Sequence, residues 1–195
     1  MTDSTDRITK TVELAAPQHR VWAAISDSAR FGAWFGAEFE GPFVAGESVS
    51  GRITPTTVDP DVAAMQEPYA GARMVLYVDT VEPPHRFAYR WHPGATESDA
   101  AIEAEPTTTV TFTLTEIPGG TRLTIVEDGF DALPAERRAQ AREDNEGGWA
   151  AQATLIARYH GVLDALVNRD PGDDLADLAD LFAEDLDTPP PRPSE

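Results

Sequence analysis

Glu127 and Asp128 stand side by side in TRLTIVEDGF, and acid–base catalysis by two carboxylates needs both groups at one reacting bond. The alternating apolar residues around them predict a strand, whose successive side chains point to opposite faces. Paired-carboxylate chemistry is therefore disfavoured. Other catalytic signatures are equally weak. The serines of GESVS lack the closing glycine of a nucleophile elbow and fall at a predicted strand start. IPGG reads as a hairpin turn, and no glycine-rich phosphate loop follows a strand. The chain has no cysteine, and its four histidines (His19, His85, His92 and His160) make no metal-ligand pattern. No metal and no cofactor are expected. What is left is one inward carboxylate, Glu127, among aromatic rings: a container more clearly than a catalyst.

The elements that must position these residues read as follows. RITKTVEL alternates from Ile8 to Leu14 and predicts a first strand. Pro17 opens a helix with an apolar stripe of Val21, Trp22 and Ile25. Ser26 or Asp27 caps a second short helix, in which Phe31, Trp34 and Phe35 share a face and Gly36 is the stop. Strands are predicted over 37–43, 47–54, 73–81, 86–92, 108–117 and 121–128, with EPPH and IPGG as breakers. Such a series implies an antiparallel meander. The linkers 55–71 and 93–106 are long against the roughly 12–15 residues above which loops become uncommon, and read as lids or binding loops. A long helix then runs from Pro134 to near Asn168.

Strand parity selects the residues that face inward. In HRFAYRWH it puts Phe87, Tyr89 and Trp91 on one face and Arg86, Ala88, Arg90 and His92 on the other. The following strands turn Val110, Phe112 and Leu114, then Leu123, Ile125 and Glu127, to the same side. For 73–81 both Met74, Leu76, Val78 and Val75, Tyr77, Asp79 serve as the inward set. On the long helix Trp149, Ala153, Ile156, His160 and Leu163 share a face. The candidate ligand-binding residues are thus Trp34, Phe87, Tyr89, Trp91, Phe112, Glu127, Trp149 and Ile156. Two readings stay open for them. The aromatic rings serve equally as plain core, and Glu127, close to a strand end, as a solvated or arginine-paired carboxylate.

With 195 residues, 41% hydrophobic and 25% charged, the chain fits one globular domain plus extras. The domain is placed at 1–169 and an acidic tail at 170–195, where nine acids oppose Arg192. Within the tail, Leu175, Leu178, Leu181, Phe182 and Leu186 recur at helical spacing ahead of the proline-rich TPPPRPSE. That helix either docks on the domain or a second copy, giving a homodimer, or is a solvated acidic end. A net charge of -19 repels phosphate backbones and anionic lipid, so neither nucleic acid nor a membrane is an expected partner. No apolar run approaches the roughly 18 residues of a membrane span, and MTDSTDRITKTVEL has no apolar signal region; a cytoplasmic location is expected. Lys10 is the sole lysine, an arginine bias that fits a GC-rich bacterial genome.

PQHRVWAAISDSARFGAWFG, VEPPHRFAYRW, TVTFTLTEIPGGTRLTIVEDGF and GGWAAQATLIARYHGVL follow, in order, the pattern of a known family. The chain resembles proteins similar to the C-terminal domain of the activator of the heat-shock-protein-90 ATPase, within the START and birch-pollen-allergen-like (SRPBCC) superfamily. The resemblance covers about residues 6–168. It implies an α+β helix-grip fold: a curved seven-stranded antiparallel sheet wrapped around a long C-terminal helix, with two short helices after the first strand. In such a grip the space between sheet and helix is a cavity, often for an apolar small molecule. The favoured function is non-catalytic binding or carriage of an apolar or aromatic molecule, lipid or polyketide-like. The superfamily also implies two alternatives. One is a polyketide cyclase or aromatase, for which Glu127 and Tyr89 would supply acid–base groups; the other is a chaperone-ATPase activator, with a protein as partner. The grip finally suggests a reason for Gly147 and Gly148, which weaken the helix: a close approach of backbone to backbone.

Overall fold

The computed structural model describes residues 6–93 and 106–167, with side chains to residue 161. Its elements are β1 (Arg7–Leu14), α1 (Gln18–Ser26), α2 (Ser28–Phe35), β2 (Ala37–Phe39), β3 (Ser48–Ile53), α3 (Pro60–Gln66), β4 (Arg73–Glu82), β5 (Arg86–Trp91), β6 (Thr108–Ile117), β7 (Gly120–Asp128) and α4 (Ala135–Val167). The seven strands form one antiparallel sheet in the order β1-β7-β6-β5-β4-β3-β2. This is the expected α+β helix-grip architecture. Residues 6–161 belong to one compact unit. The second unit begins at Val162, and only its helical backbone to Val167 is described. The acidic tail helix expected after residue 170 and most of the 93–106 linker lie outside the described residues.

Local chemistry accounts for the elements. Pro17 stands just before α1 rather than inside it, leaving Val21 and Ile25 fully buried. Asp27 caps α2 by accepting from the Arg30 amide at 2.9 Å, and Gly36 ends it in the left-handed region at φ 89°. Phe31, Trp34 and Phe35 turn inward as one face. In β4 the register shifts between Val78 and Thr80, which resolves the two inward sets: Leu76 and Val78 are buried with Met74 packed against them, and Val81 takes the inward parity beyond the bulge.

Two expectations need correction. The 55–71 linker is not irregular throughout: Asp59 caps α3, accepting from the amides of Asp61 and Val62 at 2.9 and 3.1 Å. Pro60 follows at the first helical position. The segment is also fastened down. Arg158 of α4 pairs with the buried Asp59 at 2.6 Å, and the Gln66 amide donates to the Phe35 carbonyl at 2.9 Å. Second, Gly147 and Gly148 make no close approach. A Cβ on either would meet nothing within 4 Å, and both lie on the exposed side of α4. With about 100° of rotation per residue, the turn that aims Trp149 inward aims its two predecessors away. The real close approaches are elsewhere: a side chain at Gly32 would strike the Ala37 carbonyl, and one at Gly120 the Leu14 carbonyl.

Candidate functional site

Sheet register gathers the site in neighbouring rows. Tyr89 of β5 lies opposite Val110 of β6, which lies opposite Glu127 of β7. One row away, Trp91 faces Thr108, and on the other side Phe87 faces Phe112, which faces Ile125. Helix α4 crosses above this region and brings Asn145 and Trp149, four residues apart and therefore on one face.

Glu127 is completely buried, and four side chains converge on it. Its Oε1 accepts from Trp91 Nε1 at 2.8 Å, Thr108 Oγ1 at 2.6 Å and Asn145 Nδ2 at 2.9 Å. Its Oε2 accepts from Trp149 Nε1 at 2.5 Å and Asn145 Nδ2 at 3.0 Å. All four partners are neutral donors, a set that fits an acceptor-only carboxylate with about four lone-pair sites. The exposed or arginine-paired alternatives for Glu127 do not hold. The carboxylate ties β5, β6 and α4 to β7, and its acceptor sites are filled by protein.

Around this hub the rings pack against one another. Trp149 lies 6.0 Å from Trp91 and 5.9 Å from Phe112; Tyr89 lies 6.2 Å from each of Trp91 and Phe112. Phe87 extends the group at 5.7 Å from Tyr89, while Trp34 joins it through Phe31 and Phe35 and donates its indole N–H to the Ala24 carbonyl at 2.9 Å. Ile156 is fully buried in the same core. The structure therefore brings together all eight residues expected from the sequence, with Trp34 and Ile156 at its margin. Trp34, Phe87, Tyr89, Phe112 and Ile156 have no surface open even to water, so the rings close the interior. Sequence reasoning missed Thr108 and Asn145, which complete the Glu127 shell, and Phe31, the centre of the aromatic packing. Asn145 had a legible signal in its i, i+4 relation to Trp149.

Within the aromatic cluster one buried group stands apart. The Tyr89 hydroxyl has no hydrogen-bond partner, in a residue with no exposure. Burial, and secondarily the charge of Glu127, push its pKa well above the usual 10.0. The sign of the resulting pH dependence follows. Below about pH 10 the hydroxyl is neutral in both folded and unfolded chains; above it the unfolded chain ionises first. Stability is thus lost as pH rises from about 10 toward the folded-state pKa, and Tyr89→Phe is expected to lose less. Urea midpoints of the two proteins at pH 8 and pH 10.5 check this; equal losses would contradict it.

An open cleft of 420 Å³ lies elsewhere, lined by Ala15–Gln18 and by Glu116, Ile117, Gly119 and Gly120. Glu127 is seven residues along β7 from Gly120, about 23 Å at strand rise. The cleft is no part of the polar and aromatic cluster. No group of three metal-binding side chains occurs among the described residues, and no described helix is long and apolar enough to cross a membrane.

Comparison with known proteins places this geometry. No curated protein matches the chain. Among solved structures, it is similar to DynU16, a protein of the dynemicin biosynthetic locus, at 26% identity and a TM-score of 0.55, covering 79% of this chain and 46% of that one. The chain thus spans less than half of that protein. A protein from Arthrobacter aurescens matches at 21% identity and a TM-score of 0.59, covering 80% of this chain and 87% of its own. The Aha1 dimer from Colwellia psychrerythraea matches at 12% identity and a TM-score of 0.54, covering 77% and 92%. These likenesses confirm the fold. The family model described as activator of Hsp90 ATPase homolog 1-like protein matches residues 15–161, three quarters of the chain, and the chain belongs to that family.

Proposed function

We propose that this domain binds an apolar or aromatic small molecule, lipid or polyketide-like, in the space between α4 and strands β5–β7, and carries it without chemical change. Family and fold support a ligand-binding domain in general terms. One observation carries the finer reading: a carboxylate and a phenol sit at the centre of an aromatic core. An unpartnered hydroxyl opposes folding, and a carboxylate carries a desolvation cost that an apolar side chain would not, so a core built for packing alone has no need of the pair. Ligand sites, by contrast, combine apolar walls with a few polar groups that set orientation. Trp34, Phe87, Tyr89, Trp91, Phe112, Trp149 and Ile156 would form the walls, and binding would separate rings now in contact. Carriage is preferred to cyclase chemistry because Glu127 already accepts from four protein donors, so it would have to release one before acting as a base.

The neutral dye N-phenyl-1-naphthylamine tests this reading. Saturable binding of one dye per chain, with quenching of tryptophan emission, is the expected result, because Trp91 and Trp149 flank the site. Non-saturating uptake with unchanged tryptophan emission would overturn it. Self-association belongs to the same reading, and sedimentation velocity of the full chain separates monomer from dimer.

A further inference from the structure

We infer that the Tyr89 hydroxyl, rather than Glu127, orients the guest in the grip, and that the guest is an apolar molecule bearing a hydrogen-bond acceptor such as a ketone oxygen. The inference rests on the small-molecule reading above and assigns its polar contact. Two groups at the centre of the grip could supply that contact, and their bonding separates them. Glu127 accepts five hydrogen bonds, which fill its lone pairs, so a guest donor would first have to displace Trp91, Thr108, Asn145 or Trp149. Tyr89 has no partner to lose. Its ring is held on several sides, by Phe31 at 6.3 Å, Phe87 at 5.7 Å, Trp91 at 6.2 Å and Phe112 at 6.2 Å, which fixes where the oxygen points.

Phenylalanine would keep all of this ring packing. The hydroxyl adds only an unmet hydrogen bond to the empty protein, and buried polar groups in folded chains are nearly always paired. A guest that separates the rings and presents an acceptor meets that need. The phenol is a suitable donor because burial keeps it protonated far above neutral pH. Selectivity follows from chemistry. A hydrocarbon of the same shape leaves the hydroxyl unpaired, whereas a ketone pairs it, and one neutral hydrogen bond in a dry site is worth about tenfold in affinity. Anionic acceptors are disfavoured by the neighbouring Glu127 charge.

A matched pair of probes tests this on the full chain: 2-acetylnaphthalene, with a ketone, and 2-ethylnaphthalene, without one. Wild-type protein is expected to bind the ketone about tenfold more tightly. Tyr89→Phe is expected to bind the hydrocarbon at least as tightly as wild type does and the ketone no more tightly than the hydrocarbon, and to melt no lower than wild type. An equal preference for the ketone in both proteins would overturn the role of Tyr89 and leave the grip reading standing. Failure of both probes to bind either protein up to their solubility limit would overturn the grip reading and this inference together. A Tyr89→Phe protein that melts well below wild type would show that the hydroxyl has a partner inside the fold, which also overturns it.

Discussion

Glu127→Gln is expected to lower the stability of the folded chain by about 4 kcal/mol, far more than an ordinary carboxylate-to-amide change. The reason lies in the donor-only shell. Whichever way the new amide turns, its NH2 group faces donors. If it takes the Oε2 position it confronts Trp149 Nε1 and Asn145 Nδ2; if it takes Oε1 it confronts Trp91 Nε1, Thr108 Oγ1 and Asn145 Nδ2. Thr108 can turn its hydroxyl and Asn145 its amide to accept, but the indole N–H of Trp91 or Trp149 cannot. At least two hydrogen bonds to a charged acceptor are lost, each worth about 1.5–3 kcal/mol, and a buried indole donor is left unmet. Trp149→Phe removes one donor and leaves the other three in place, so its cost in hydrogen bonding is a fraction of this. Urea unfolding of Glu127→Gln, followed by near-ultraviolet circular dichroism of the indoles, reads both consequences. A midpoint equal to wild type would mean that the four donors are satisfied in another way and that Glu127 is not the joint between sheet and helix.

Much of this arrangement was legible, because strand parity is a local property. Phe87, Tyr89, Trp91, Phe112 and Glu127 could be assigned to one face by counting in twos, and the face turned out to be the inner one. The same rule failed to decide β4, where the bulge after Val78 interrupts the count within a single strand. The short helix α3 was also readable: Asp59 followed by Pro60 is a helix start, but the length of the linker invited a loop assignment. Parity does not reveal which polar residues are spoken for. Thr108 and Asn145 reach Glu127 across 19 and 18 residues of sequence, and only the pairing of β6 with β7 and the rotation of α4 bring them there. So the position of Glu127 could be foreseen while its bonding state could not. In the proposed site that difference moves the open polar contact from Glu127 to Tyr89.

The glycine pair leads to the second large effect. Gly147→Ala with Gly148→Ala is expected to stabilise the chain by about 2 kcal/mol, since each glycine costs a helix interior roughly 1 kcal/mol relative to alanine. Both new methyl groups would point into open space, so no clash offsets the gain. Close packing therefore does not explain the glycines, and their position suggests another role. They lie between Asn145 and Trp149, the two α4 residues that donate to Glu127, so the glycines lower helix propensity where the helix is bound to the sheet. The rings beneath this turn leave no room for a guest until something moves. Bending of α4 at the glycines would lift Trp149 from Trp91 and Phe112 without unfolding the remainder of the helix. Three measurements separate this from a neutral surface feature. The double alanine variant should show a higher urea midpoint and stronger amide protection across residues 145–152, and it should take up N-phenyl-1-naphthylamine more slowly. Higher stability with unchanged uptake would assign the pair to a surface that tolerates glycine; unchanged stability would mean that α4 does not hold ordinary helical geometry at this turn.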